Sequence, residues 1–160
     1  MPFSTGTAAT PSVLLSAIST HLVANGWTKL EGEVDMACAS PKAARYWRVM
    51  YLETQSTGDD YREMRHLALR TTLGGANVAT TGGNFTCSSV NSGNLSDLVT
   101  PGGTSVISGQ IYDGPWFVKY DFGAPTTIRE IALECGIANR SPRNFTVQWS
   151  NDDRTWTTMY

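Results

Sequence analysis

A mainly β fold, an antiparallel β-sandwich with one N-terminal α-helix, is what this sequence predicts. Three observations carry that expectation. Runs toward the C-terminal end alternate apolar and polar residues with period two, as strands do when they cover a core on one side. Charged residues are only 16% and aromatic residues 10%, with abundant Thr, Ser, Gly and Asn, which suits a β exterior better than a helical bundle. Helical periodicity is confined to one stretch before residue 26.

Residues 1–10 are small and polar apart from Phe3 and read as extended. Thr10 caps and Pro11 opens a helix over about 11–25, because proline at the first helical position gives up no needed hydrogen bond. Leu14, Leu15, Ile18 and Leu22 form its apolar stripe, and Asn25-Gly26 ends it. Residues 27–30 leave it as a strand. Residues 32–42, with Gly32, Asp35 and Ser40-Pro41, read as a strand-and-loop connection.

Residues 45–53 are apolar on both faces, Tyr46, Met50 and Leu52 against Trp47, Val49 and Tyr51, which predicts a central strand. After a loop at 55–60, a second run ends in Leu67-Ala68-Leu69-Arg70, and Gly74-Gly75 breaks it. The polar stretch 80–109 reads as long structured loops with short strands. Its apolar points are Phe85, Val90, Leu95, Leu98, Val106 and Ile107.

The last third holds three strands. In 116–122, Trp116, Val118, Tyr120 and Phe122 share the inward face, and Gly123-Ala124-Pro125 closes the run. In 129–135, Ile131, Leu133 and Cys135 point inward while Glu130 and Glu134 make a solvated face. In 144–150, Phe145, Val147 and Trp149 point inward, and a turn at Asn151-Asp152-Asp153 leads to 155–158, where Trp156 is again placed inward.

Composition narrows the function classes. The 160 residues are the size of one domain with an appendage, here an arm at 1–43 and a sandwich at 44–160. Net charge is −2, the pI is about 5.6 and no basic run exists, which argues against nucleic-acid binding through phosphates. No run of about 18 apolar residues predicts membrane insertion. The N-terminus lacks a basic start followed by an apolar core, so no signal peptide is expected. Cys38, Cys87 and Cys135 lack metal-ligand spacing and read as free thiols of a protein folded in a reducing cytosol.

Catalytic patterns are missing from the sequence. His21 and His66 stand without a motif, and no nucleophile elbow, P-loop, zincin or dinucleotide fingerprint occurs. Glu130 and Glu134 would lie about 13 Å apart along a strand, too far for either glycosidase geometry. The expectation is a protein that is not an enzyme, with no metal site and no cofactor.

Trp116-Phe117-Val118-Lys119-Tyr120-Asp121-Phe122-Gly123, Pro125, Ile128 and Ile131, then Phe145-Thr146-Val147-Gln148-Trp149-Ser150-Asn151-Asp152 and Trp156, resemble the discoidin or coagulation-factor C-type domain. Ala44-Arg45-Tyr46-Trp47-Arg48-Val49 and Leu67-Ala68-Leu69-Arg70 resemble the strand pair that comes last in that family. Here the pair comes first, an order that implies circular permutation, as in bacteriophage tail and virion proteins. The resemblance implies a galactose-binding-like jelly roll. Three positions depart from the family pattern. Asp153 replaces the turn glycine, Ser96-Asp97-Leu98 lacks another glycine, and His66 replaces a glutamate that helps hold a structural calcium in relatives.

In that family, ligand loops sit at one end of the sandwich. The loop 136–144 occupies the place where sugar-binding relatives carry Arg and Asn, and it offers Asn139, Arg140, Arg143 and Asn144. Tyr112 and Asp113 lie in a second loop able to approach it. A polar loop with no ligand is the plain alternative. The Asn-x-Ser/Thr triplets at Asn84, Asn94, Asn139 and Asn144 carry no weight without a secretory signal.

The expected function is a phage virion component, in the tail, baseplate or a surface spike, that binds host surface glycan. The alternative is a purely structural virion assembly protein with the same fold. Other virion proteins and further copies of the chain are the expected partners. The stripe Leu14, Leu15, Ile18 and Leu22 is the candidate assembly contact, with packing on its own domain as the alternative.

Overall fold

A computed structural model describes residues 32–54, 61–109 and 115–159. The expected helix at 11–25 with Leu14, Leu15, Ile18 and Leu22, the strand at 27–30, and Tyr112 and Asp113 lie outside the described residues. The chain divides into two compact units, Met1–Leu30 and Glu31–Tyr160, and the second carries every described strand.

This second unit is mainly β and is built on a curled antiparallel sheet. Its strands are β1 (Gly32–Thr54), β2 (Glu63–Met64), β3 (His66–Arg70), β4 (Phe85–Cys87), β5 (Val106–Ile107), β6 (Trp116–Cys135), β7 (Pro142–Ser150) and β8 (Thr157–Thr158). The main sheet runs β3-β6-β1-β7-β8, with β4 also on β6, and β2 pairs with β5 separately. Residues 45–53 lie between β6 and β7, with Val49 opposite both Val118 and Val147. The central position expected for this run is therefore observed.

Two long strands form the frame, and both run through residues that read as breaks. Residues 32–42, expected as a strand-and-loop connection, belong to β1 and pair with the C-terminal half of β6 from Gly32↔Cys135 to Ala37↔Glu130. Gly123-Ala124-Pro125, expected to close a strand, instead bends β6. The register shifts between Ala37 and Lys42, and again between Ala44 and Tyr46, where β1 passes that bend. Irregularities on facing strands let both curve together, and proline is tolerated where ladder bonding is already interrupted. Gly123 takes φ +75, a conformation that glycine adopts without a Cβ clash.

The core lies on one face of the curled sheet. Trp47, Val49 and Tyr51 of β1 and Trp116, Val118 and Tyr120 of β6 meet Leu67, Leu69, Ile131 and Leu133. The Tyr51 and Trp116 rings pack edge to face at 5.3 Å between centroids. Stretch 71–109 supplies Phe85, Leu98 and Val106 to the same core, so most of its apolar points are anchors, although Val90 is exposed.

Two expectations about faces are corrected. Glu130 is 4% exposed rather than solvated, because Arg70 pairs with it and the Gly74 N–H donates to it at 2.6 Å. Glu134 is half-buried beside Arg65 at 3.5 Å and accepts from the Gly102 N–H at 2.9 Å. Arg70 of the neighbouring strand β3, Arg65 just before it, and the loops at Gly74 and Gly102 supply the partners. Trp156 is not in the core either. Asp153 takes φ 59, the left-handed turn expected for it, and after this turn Met159 packs against the core. Trp156 lies on the other face, where the Arg48 guanidinium sits 3.9 Å from its ring centroid.

Candidate functional site

The β6–β7 connection is fastened from beneath. Glu63, fully buried in β2, accepts hydrogen bonds from the Gly136 N–H at 2.9 and 3.1 Å and from the Ile137 N–H at 3.3 Å. Three charge-assisted contacts to backbone donors give this carboxylate the partners that burial demands. The backbone carbonyl of Glu63 in turn accepts from the Tyr51 hydroxyl at 3.1 Å and the Cys135 thiol at 3.4 Å. Burial pushes the Cys135 thiol up to about 12 and the Tyr51 phenol well above its ordinary value. Cys135 is thus a protonated, structural thiol.

The Arg65 guanidinium packs over Gly136, and a side chain there would displace it. A Cβ there would stand 2.0 Å from an Arg65 guanidinium nitrogen. Beyond it, Ala138–Arg140 form a single 3-10 turn, with the Arg140 N–H bonded to the Ile137 carbonyl at 3.0 Å. The Ser141 hydroxyl donates to the same carbonyl at 3.0 Å. The Pro142 end of β7 then starts pairing with Thr54, and Asn144 pairs with Glu53.

Of the residues singled out in the sequence, Asn139 and Arg140 share the 3-10 turn, and Arg143 and Asn144 begin β7. Asn139, Arg143 and Asn144 are exposed, while Arg140 is half-buried. Its guanidinium lies 5.0 Å from the centroid of the Tyr61 ring. The structure therefore adds Tyr61 as the aromatic neighbour, and Glu63 and Arg65 as the supports. Sequence reasoning missed all three, since they lie far upstream of the loop with no motif. Tyr112 and Asp113, expected to approach this loop, fall among the residues not described.

The arrangement offers hydrogen-bond donors and acceptors beside an aromatic ring, on a turn whose backbone is pinned. Its Asn and Arg side chains can donate hydrogen bonds, and the Asn amides can also accept them. Among the described residues no group of three or more His, Cys, Asp or Glu side chains could hold a metal ion. Nor is any helix among them long and apolar enough to cross a membrane. Comparison of the chain with family models, with curated proteins and with solved structures finds no match.

Proposed function

We propose that this chain is a glycan-binding module of a bacteriophage virion, working without catalysis, in which the β6–β7 connection contacts a host surface saccharide. One observation carries the binding reading. Arg140 is held over Tyr61, with Asn139 beside it, on a turn fastened by the buried carboxylate of Glu63. A prearranged polar pair next to an aromatic ring loses little conformational freedom on binding, which favours a weak, hydroxyl-rich ligand. Arg143 and Asn144 extend the same surface toward the start of β7.

The virion assignment and the jelly-roll topology rest on the rotated order of discoidin-like segments. Residues 45–53 share one sheet with the C-terminal strands β6 and β7, as this reading expects, whereas β3, expected as their partner, pairs with β6 instead. Assembly with other virion proteins and in multiple copies belongs to the same reading.

The test is a glycan array probed with the intact protein and with an Arg140→Ala plus Arg143→Ala variant. Retention of defined saccharides by the native protein, lost in the variant, is the expected result. Binding to no saccharide by an intact oligomer would turn the reading to a purely structural assembly protein. Hydrolysis of host polysaccharide would overturn both.

A further inference from the structure

The face of the sheet opposite the core carries a second cluster, apart from the β6–β7 connection. Arg48 in β1 sits on the face opposite Trp47 and Val49, flanked by Lys119 of β6 and Gln148 of β7 in register. Its guanidinium carbon is 3.9 Å from the Trp156 ring centroid and 5.6 Å from that of Phe117. Its Nε donates to Gln148 Oε1 at 2.7 Å, and Gln148 Nε2 donates to the Thr158 hydroxyl at 3.1 Å. This fixes the plane of the guanidinium from one side. Among the described residues no hydrogen bond occupies its two terminal nitrogens.

Charge on this face is unevenly paired. Arg45 forms a two-point pair with Asp121 at 2.8 and 2.9 Å, and Lys119 pairs with Asp153 at 2.5 Å. Arg48 is the one of these three cations with no carboxylate in ion-pair contact, although Asp153, bonded to Lys119, attracts it from farther off. Partial burial lowers the Arg48 pKa, the mark of a cation partly stripped of water. A guanidinium with both terminal nitrogens open is shaped to take a planar carboxylate at two points.

From the aromatic flanks, the oriented fork and the one cation of the cluster without an ion-pair contact, we infer that Arg48, Trp156 and Phe117 form a site for a carboxylate-bearing saccharide, such as a uronic or sialic acid unit. One such cation suits one carboxylate per sugar unit. It does not suit a run of acidic side chains in a peptide or a doubly charged phosphate. Trp156 and Phe117 present apolar area for a sugar ring, while the exposed Thr158, opposite Gln148 on the same face, supplies a hydroxyl. This site stands independently of the β6–β7 reading.

The experiment titrates the full chain with an oligouronate, a neutral oligosaccharide, an acidic peptide and inorganic phosphate, by calorimetry and tryptophan fluorescence. Oligouronate binding is expected to weaken about tenfold or more in Trp156→Ala and in Arg48→Lys, which keeps the charge and loses the fork. It should persist in Arg140→Ala plus Arg143→Ala, which separates this site from the loop. Thermal unfolding of each variant checks that the fold is intact. Four outcomes would each overturn the inference: no oligouronate binding by the native chain, equal binding by well-folded Arg48→Lys, equal binding of the neutral oligosaccharide, or stronger binding of the peptide or phosphate.

Discussion

Single side chains decide how well the candidate loop is held. Glu63 is the acceptor for the Gly136 and Ile137 N–H groups, so Glu63→Ala would leave two part-buried donors without partners. At about 1–3 kcal/mol for each orphaned group, a loss of about 3 kcal/mol is expected, read as a lower urea midpoint with unchanged slope. Glu63→Gln keeps one acceptor oxygen and should lose less. Cys135 makes a pH prediction. Its folded thiol is raised to about 12, above the ordinary value of about 8.5. The folded state therefore keeps a proton that the unfolded chain releases. Stability from this group is fully present below pH 8.5 and falls between there and pH 12, by ~1.4 kcal/mol per pH unit. Urea unfolding at pH 8 and pH 10 should show a smaller decline in Cys135→Ala than in the native protein. An equal decline would remove Cys135 as the cause.

Among the elements, β6 and the turn before β8 are the most instructive. The inward phases of Trp116, Val118 and Tyr120, and of Ile131, Leu133 and Cys135, were legible in the sequence because side-chain alternation is local. The continuity of β1 and β6 was not. Pro41 and the Gly123-Ala124-Pro125 segment are local stop signals, and only pairing with another long strand turns them into a bulge and a bend. Gly123→Val tests that explanation of the bend. Forcing a β-branched residue into φ +75 should cost about 1–2 kcal/mol in denaturant unfolding, whereas Ala124→Val should cost almost nothing. The burial of Glu130 was equally hidden, since Arg70 and the Gly74 N–H reach it only in three dimensions. In the turn, the N–H groups of Thr155 and Arg154 and the Ser150 hydroxyl hold the Asp152 carboxyl below the usual range. Its contribution is present above the usual carboxylate value and is lost as pH falls through its depressed folded value. Asp152→Ala should therefore speed amide exchange at Thr157–Thr158 at neutral pH while leaving Val147 protected. Unchanged exchange at β8 would contradict this role for the turn.

Across the whole β unit, order follows from which strands are paired on both sides. The half of β1 between β6 and β7, with Trp47, Val49 and Tyr51 in the core, should show the slowest amide exchange, and β8 the fastest. Of the proposed site, the sequence singles out the polar loop 136–144 by its residue types and by its place in the resembled family. Tyr61, Glu63 and Arg65 are not singled out, because they reach it only through the fold. Trp156 was read as core from its phase, and after the turn with left-handed Asp153 it lies beside Arg48 on the opposite face. The central claim is that the β6–β7 connection binds saccharide. It is tested most directly by recording backbone amide shifts of the full chain as a saccharide chosen from the array is added. Saturable shifts confined to Tyr61 and to residues 136–144 are predicted, disappearing in Arg140→Ala plus Arg143→Ala. A saccharide that binds tightly while leaving those amides unmoved would contradict the account.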